Sequence, residues 1–504
     1  MISINGKMRR KDLLYPSLLF ILVLFLAGCA GRYFHDIPQG PLPSQRYELS
    51  NLPYSEYWTG IVFNGNKIGF SHFAIEESRD VPGHYEIRSE TMLHFRFLMM
   101  DKRISMDSYD LVREDLTLKE FRYHLDIDGS VLDLAGSCDH EEISITKYSN
   151  SMTSTETMKL AGSIYPGSVV YLYPILHGME IGRTYRYDVF DGESQSIETV
   201  NQEVVAYQRS DLFAGSAFRM ETEYFSQEMT SWIDASGRPL FESALGGVLL
   251  SGLESEAEAK RYLLEAGMNR DEALLEFSLI KTDKPIAYPS QVTCLEVRIT
   301  GIGDDFTMPS GAGQICSRED SKVRCRITSA PSGKTGEESG ESRPKGYLSP
   351  SYAVPCNNER IAALAEDITR NAADDLEKIE AILQWLSENI EKKPIDVFTA
   401  LDVLDGKKAE CQGHAYLYAA FARSSGIPTR VVSGIVYCED FDGFLYHSWA
   451  ESLIKGRWTA VDPTASQVPA DATHIKFIEG ESMSSLVPLV GMIGKIGVEI
   501  VNLQ

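Results

Sequence analysis

Short alternations of apolar and polar residues dominate the first half of the chain. From Tyr54 to about Leu253 they read as half-buried strands separated by turn residues. Gly60-Ile61-Val62-Phe63, Asn64-Gly65-Asn66 and Ile68-Gly69-Phe70 predict a hairpin closed by an Asn-Gly turn. Ser231-Trp232-Ile233-Asp234 predicts a strand that ends in the turn Ala235-Ser236-Gly237. Residues 51–270 are therefore expected to form a β-rich domain, an all-β sandwich or half-barrel, closed by a helix over Glu254–Ala266, where Glu, Ala and Leu favour helix. Strand patterns return at Ala273–Ile280, Val292–Thr300 and Lys322–Ile327, which predicts a small β module within 271–346. Its end, Pro331–Lys345, is crowded with Ser, Gly, Glu and Pro and reads as a loop or linker.

The period changes after Tyr347. Glu359–Asn371 and Asp374–Ile390 carry helical spacing, the second with Ile379, Ile382, Leu383 and Leu386 on one stripe and Trp385 beside it as packing. Cys411 opens a further helix running to Ser424, which Gly426-Ile427-Pro428 ends. Phe444–Glu451 reads as a strand, Lys455-Gly456 as a two-residue turn, and Arg457–Asp462 as the returning strand. With Ile454 opposite Arg457, Trp449 opposes Asp462 and His447 opposes Thr464. His447 and Asp462 then share a face as diagonal neighbours, about 7 to 8 Å apart at the backbone.

That arrangement carries chemistry. A Cys in the first turn of a helix meets the positive end of the macrodipole and uncommitted backbone amides, conditions that favour thiolate. An imidazole can take the thiol proton, and a carboxylate on the same face can fix the imidazole tautomer. Cys411, His447 and Asp462 are the candidate nucleophile, base and orienting acid.

The stretch Ala409–Thr464 resembles the core of the transglutaminase-like superfamily. The likeness lies in the Cys that opens a helix, in Gly426-Ile427-Pro428-Thr429-Arg430, in His447-Ser448-Trp449-Ala450-Glu451 and in Trp458-Thr459-Ala460-Val461-Asp462-Pro463-Thr464. The resemblance implies that Cys411, His447 and Asp462 form the triad and that residues 347–480 fold as a papain-like domain. The expected fold class is α+β: a β-rich N-terminal domain and a small β module, then the transglutaminase-like domain, with 481–504 as a C-terminal extension. Ala409-Glu410 stands where many relatives have a Gly-Asp-like pair, and Gly413 where they have an aromatic or acidic residue.

The N-terminus places the chain. Lys7, Arg9, Arg10 and Lys11 precede an apolar run from Leu13 to Ala27, the layout of a secretory signal over residues 1–28. The run is short for the roughly 20 residues a membrane span needs. Leu26-Ala27-Gly28-Cys29 resembles the lipobox of bacterial lipoproteins, which implies that Cys29 is lipidated and that 29–50, rich in Pro and Gly, is a tether. Ala30 after that Cys points to the outer membrane or its periplasmic face. A net charge of -24 argues against a nucleic-acid partner, since phosphate binding needs concentrated Lys and Arg.

Seven cysteines follow Cys29, an odd number, so at least one thiol stays free unless it pairs between chains. Cys316 and Cys325 are the first choice for a disulfide, with two reduced strand residues as the alternative. A rival use of Cys411, His414, Cys438 and His447 as zinc ligands is weighed against irregular spacing and set below the triad. No metal or other cofactor is expected.

The reading is an envelope-anchored cysteine enzyme acting on a protein or peptide substrate by acyl transfer to Cys411, with hydrolysis favoured over crosslinking because no amine channel is visible in the sequence. The competing class is a catalytically silent binding or scaffold lipoprotein.

Overall fold

The computed structural model describes residues 33–37 and 47–504, apart from 64, 98–99, 140, 150–152, 193–195, 225–226, 245–246, 267–278, 304–305, 330–343, 394, 396, 482–488, 490–491 and 493. The signal and lipidation residues through Cys29, most of the tether, the strand pattern at 273–278 and nearly all of the Pro331–Lys345 linker lie outside the described residues. Among the described residues no helix is long and apolar enough to cross a membrane.

The N-terminal strands build one continuous 16-stranded sheet. Apart from Ile164–Pro166, which pairs in parallel with Thr184–Asp191, and Phe34–Asp36, which pairs with Ser196–Ser210, it consists of two antiparallel meanders joined where Leu249–Glu254 pairs with Glu56–Phe63. The anticipated hairpin is present: Glu56–Phe63 and Asn66–Glu77 pair with Phe63 opposite Asn66, and Gly65 between them has φ 80°. Bulges at Ile61/Val62, Leu111/Val112 and Val204/Ala206 bend the strands. The sheet curls around a short segment containing the helix Leu172–His177. Ile87 and Val112 of one arm and Val189 and Met220 of the other meet Leu172 and Ile175 in a common core. A single curled sheet, rather than two stacked ones, is the half-barrel form. The helix Glu256–Ala266 follows its last strand.

The second half is built on a five-stranded antiparallel sheet in which Thr429–Cys438 lies between Gly443–Ile454 and Ile475–Glu479. Arg457–Val461 and Ile280–Lys281 cover the two ends of the remaining edge of Gly443–Ile454. Among the described residues that edge has no strand partner between Phe444 and Ala450, the stretch that includes His447. The helices Glu359–Thr369, Asp375–Asn389, Ala400–Gly406 and Cys411–Ser424 pack on this sheet through Val431, Ala450 and Val461. Their starts are set by the sequence: Asn358 accepts from the Arg360 amide, Asp374 from those of Leu376 and Glu377, and Thr399 with Asp402 forms a capping box.

A four-stranded sheet, Gln314–Glu319, Lys322–Thr328, Cys294–Thr300 and Gly497–Leu503 in spatial order, packs against Ile435, Tyr437, Phe444 and Phe477. The stretch 481–504, anticipated as an extension, thus ends as a strand beside Cys294–Thr300. Cys316 and Cys325 face each other across two of these strands and form a disulfide, with Cα atoms 4.1 Å apart. Cys138, Cys294, Cys356, Cys411 and Cys438 are free thiols.

Candidate active site

Cys411 is the first residue of a 14-residue helix whose interior, from Ala415 to Ala422, is fully or almost fully buried. Glu410 precedes it without capping the helix by its side chain, so the first-turn amides remain directed at whatever lies beyond the thiol. Gly413 has a steric reason: a Cβ there would sit 2.6 Å from the Ala409 Cβ and 2.8 Å from a Val397 methyl. The helix start is pressed so closely onto its neighbours that no larger residue fits.

His447 lies in the middle of Gly443–Ile454, opposite Gly434. Gly434 is itself pinned, since a Cβ would meet the Ile475 carbonyl oxygen at 2.0 Å. The His447 Nε2 lies 3.0 Å from Asp462 Oδ2, which leaves Nδ1 as the second polar edge of the ring, and Cys411 is near enough to the same imidazole to favour its charged form. Burial works against the charged imidazole. The Asp462 carboxylate, with a smaller contribution from Cys411, outweighs it and raises the His447 pKa to about 10.

The two-strand register anticipated for this hairpin holds from Ile454–Arg457 to Ala450–Val461 and then stops. The expected pairs Trp449–Asp462 and His447–Thr464 are not formed as ladder partners. Pro463 has no N–H to continue the ladder, and Asp462 Oδ1 instead accepts from the amides of Thr464 at 2.8 Å and Ala465 at 3.2 Å. Asp462 also exchanges backbone hydrogen bonds with Gln467. The turn so formed, rather than a strand diagonal, aims Oδ2 at His447.

One residue of the site was not singled out in the sequence. His474 Nε2 lies 3.2 Å from the same Asp462 Oδ2, and its Nδ1 lies 3.1 Å from the Asp471 carbonyl oxygen. Burial opposes its charge, but Asp462 and Asp471 together raise its pKa. Burial likewise opposes ionisation of Asp462, yet His447 and His474 hold that carboxyl well below the usual carboxylate range. Trp449, 1% exposed, closes the back of the cluster, with its ring 6.1 Å from that of His447 and 5.3 Å from that of His474. The only hint in the sequence is Asp471-Ala472-Thr473-His474, in which Asp471 Oδ1 accepts from the Thr473 amide and hydroxyl and fixes the turn before Ile475–Glu479.

The alternative zinc set is not brought together. His414, 1% exposed, turns its Nδ1 to the Glu410 carbonyl oxygen at 2.8 Å. Cys438 pairs with Gly443, four residues along the ladder from the His447–Gly434 pair, a separation of about 13 Å. His447, Asp462 and His474 offer donors within 4.8 Å of one another. Both histidine nitrogens, however, are committed to one carboxylate oxygen.

Comparison with known proteins finds matches to parts of this chain. Kyphoscoliosis peptidase of Mus musculus is 30% identical over 127 residues, which is 23% of this chain and 19% of that protein. The chain thus spans about a fifth of the length of that relative. An uncharacterised protein of Mycobacterium leprae is 27% identical over 155 residues, 29% of this chain and 54% of that protein. A solved β-barrel-like protein of a domain family of unknown function from Brucella abortus covers 40% of this chain and 94% of its own, with 11% identity and a TM-score of 0.31. The transglutaminase-like superfamily model matches residues 362–463, from the first helix of the second half through Cys411, His447 and Asp462. Residues 362–463 are therefore a transglutaminase-like superfamily domain within this longer chain.

Proposed function

We propose that this protein is a cysteine peptidase or amidase, held at the cell envelope by lipid on Cys29, that cleaves protein or peptide amides through Cys411, His447 and Asp462. The observation that carries the reading is the 3.0 Å contact of His447 Nε2 with Asp462, on a ring whose other edge is left to the thiol at a helix start. The likeness to kyphoscoliosis peptidase supports peptidase chemistry. The Leu26-Ala27-Gly28-Cys29 sequence supports the anchor.

In this mechanism Cys411 Sγ attacks the amide carbonyl while its proton resides on His447 Nδ1. The first-turn amide of Cys411 donates to the developing oxyanion. Collapse of the tetrahedral intermediate breaks the C–N bond, His447 gives its proton to the departing amine, and a thioester to Cys411 remains. Water, deprotonated by His447, then releases the acid and restores the thiol. An amine in place of water would form a new amide.

Iodoacetamide tests the nucleophile. Cys411 and Cys438 are both partly exposed, whereas Cys138, Cys294 and Cys356 are buried. Cys411 is expected to alkylate about tenfold or more faster than Cys438 in native protein, as read by peptide mass spectrometry over time. Equal rates at the two would remove the case for an activated thiol. Comparison of envelope proteins with and without Cys411→Ala then identifies the substrate by termini or deamidation sites that disappear.

The pH dependence follows from the His447 shift. Its folded pKa, about 10, lies above an ordinary histidine value near 6.5. The stabilisation associated with its charge is therefore complete below about 6.5 and is lost as pH rises through about 10. The imidazolium that protonates the leaving amine persists over the same window. In an NMR titration of labelled histidine, the His447 ring is expected to stay protonated past pH 8 and to titrate near 10; a midpoint near 6.5 would show that the ring is not coupled to Asp462.

A further inference from the structure

The concave face of the half-barrel holds a cleft that the Cys411 site does not use. Its two lobes, about 330 and 310 Å³, share Ser71, Ser89, Thr91, Gly167 and Ser168 and so run into each other past the turn Gly167–Val169. One lobe is lined by Asp110 and the other by Glu242. Asp110 is 1% exposed and accepts from Tyr123 Oη at 2.6 Å and from Ser168 Oγ at 2.6 Å. Glu242 accepts from Tyr171 Oη. Among the described residues no Lys or Arg lines either lobe, and His124, at the rim, is paired with Asp133 at 2.7 Å.

We infer that this cleft binds a linear organic cation, an alkylammonium or diamine, with its ammonium groups received by Asp110 and Glu242 and its chain lying against Tyr57 and Tyr123. The aromatic residues line the same two lobes, and ring faces attract ammonium groups. Buried carboxyls are normally paired with a cation. Here burial, only partly offset by hydroxyl donors, pushes Asp110 up to about 6 and Glu242 up to about 7. An ammonium would supply the missing counter-charge to each. A neutral polyol could meet the hydroxyls but would leave both carboxyls uncompensated, and an anion would be repelled. The net charge of -24 draws cations to the surface as a whole.

The site is independent of the proposed peptidase chemistry, and its test does not depend on Cys411. The full chain is titrated calorimetrically with 1,5-diaminopentane and, in parallel, with sucrose as a neutral polyol. Saturable diamine binding is expected, weakened at least tenfold in Asp110→Asn and in Glu242→Gln and unchanged in Cys411→Ala, with circular dichroism confirming each fold. Should Asp110→Asn not fold, Glu242→Gln alone decides, aided by the rise in melting temperature that diamine produces in the unsubstituted chain. Absence of saturable binding, equal affinity in the carboxyl variants, or sucrose binding as tightly as diamine would each overturn the inference.

Discussion

Asp462→Asn is expected to lower turnover on the order of 10³ to 10⁴-fold while leaving the fold intact, and the hydrogen bonds around this side chain say why. Oδ1 accepts from the amides of Thr464 and Ala465, so an asparagine must keep its oxygen there to preserve the turn. Its NH₂ group then takes the place of Oδ2 and faces His447 Nε2 and His474 Nε2. His447 can meet a donor only by making Nε2 an acceptor, which puts its proton on Nδ1, the edge left to the thiol. A ring protonated there and uncharged cannot accept the thiol proton. Without the carboxylate, the His447 pKa also falls from about 10 towards the ordinary value near 6.5. The readout is the burst of p-nitrophenol on acylation by p-nitrophenyl acetate, with iodoacetamide labelling of Cys411 alongside. A folded variant acylating within tenfold of the unsubstituted protein would mean that Asp462 does not orient the base.

The difference between what the sequence predicted and what the fold holds has a common physical origin. Cys411 at a helix start and His447 on a strand follow from periodicity and turn residues, which are local properties. The face shared by His447 and Asp462 was inferred by extending the ladder to residue 462. The contact is real, but its cause is the turn at Asp462-Pro463-Thr464, where side-chain and backbone acceptors compete with strand pairing. His474 escaped notice because its role depends on where Ile475–Glu479 docks, beside Thr429–Cys438 rather than beside its nearer sequence neighbour Arg457–Val461. Non-adjacent pairing of that kind leaves no mark on spacing.

The same limit holds for the scaffold. The hairpin of Glu56–Phe63 with Asn66–Glu77 was legible because a short turn at an Asn-Gly sequence fixes its own register. The joining of the two meanders by Leu249–Glu254 on Glu56–Phe63 was not, since it pairs segments nearly 200 residues apart by backbone hydrogen bonds. The strand Gly497–Leu503 was hidden for the same reason.

Glu451→Gln is expected to destabilise the second half of the chain by about 3 to 5 kcal/mol without slowing alkylation of Cys411 in molecules that remain folded. Arg430 ends one motif block and Glu451 ends the block that begins at His447, yet neither is hydrogen-bonded to the triad. They are cross-strand partners, 4% and 3% exposed at their side chains, joined at 2.7 Å. Lys476, from the neighbouring strand, reaches Glu451 at 3.0 Å and Glu479 at 2.6 Å, and Arg430 reaches Glu479 at 3.0 Å while lying over the Trp458 ring. Two cations and two carboxylates thus balance inside the sheet. Removing one charge leaves two buried cations on a single acid, which is the costly case, whereas removing one of each leaves Lys476 with Glu479 as a neutral pair. The double variant Arg430→Met/Glu451→Leu should therefore lose less stability than Glu451→Gln alone. Urea unfolding followed by tryptophan fluorescence reads the difference, since Trp385, Trp449 and Trp458 all lie in this half. Additive losses in the double variant would show that the two side chains contribute independently, and the balance of charge would then not be what holds these strands in register behind the active site.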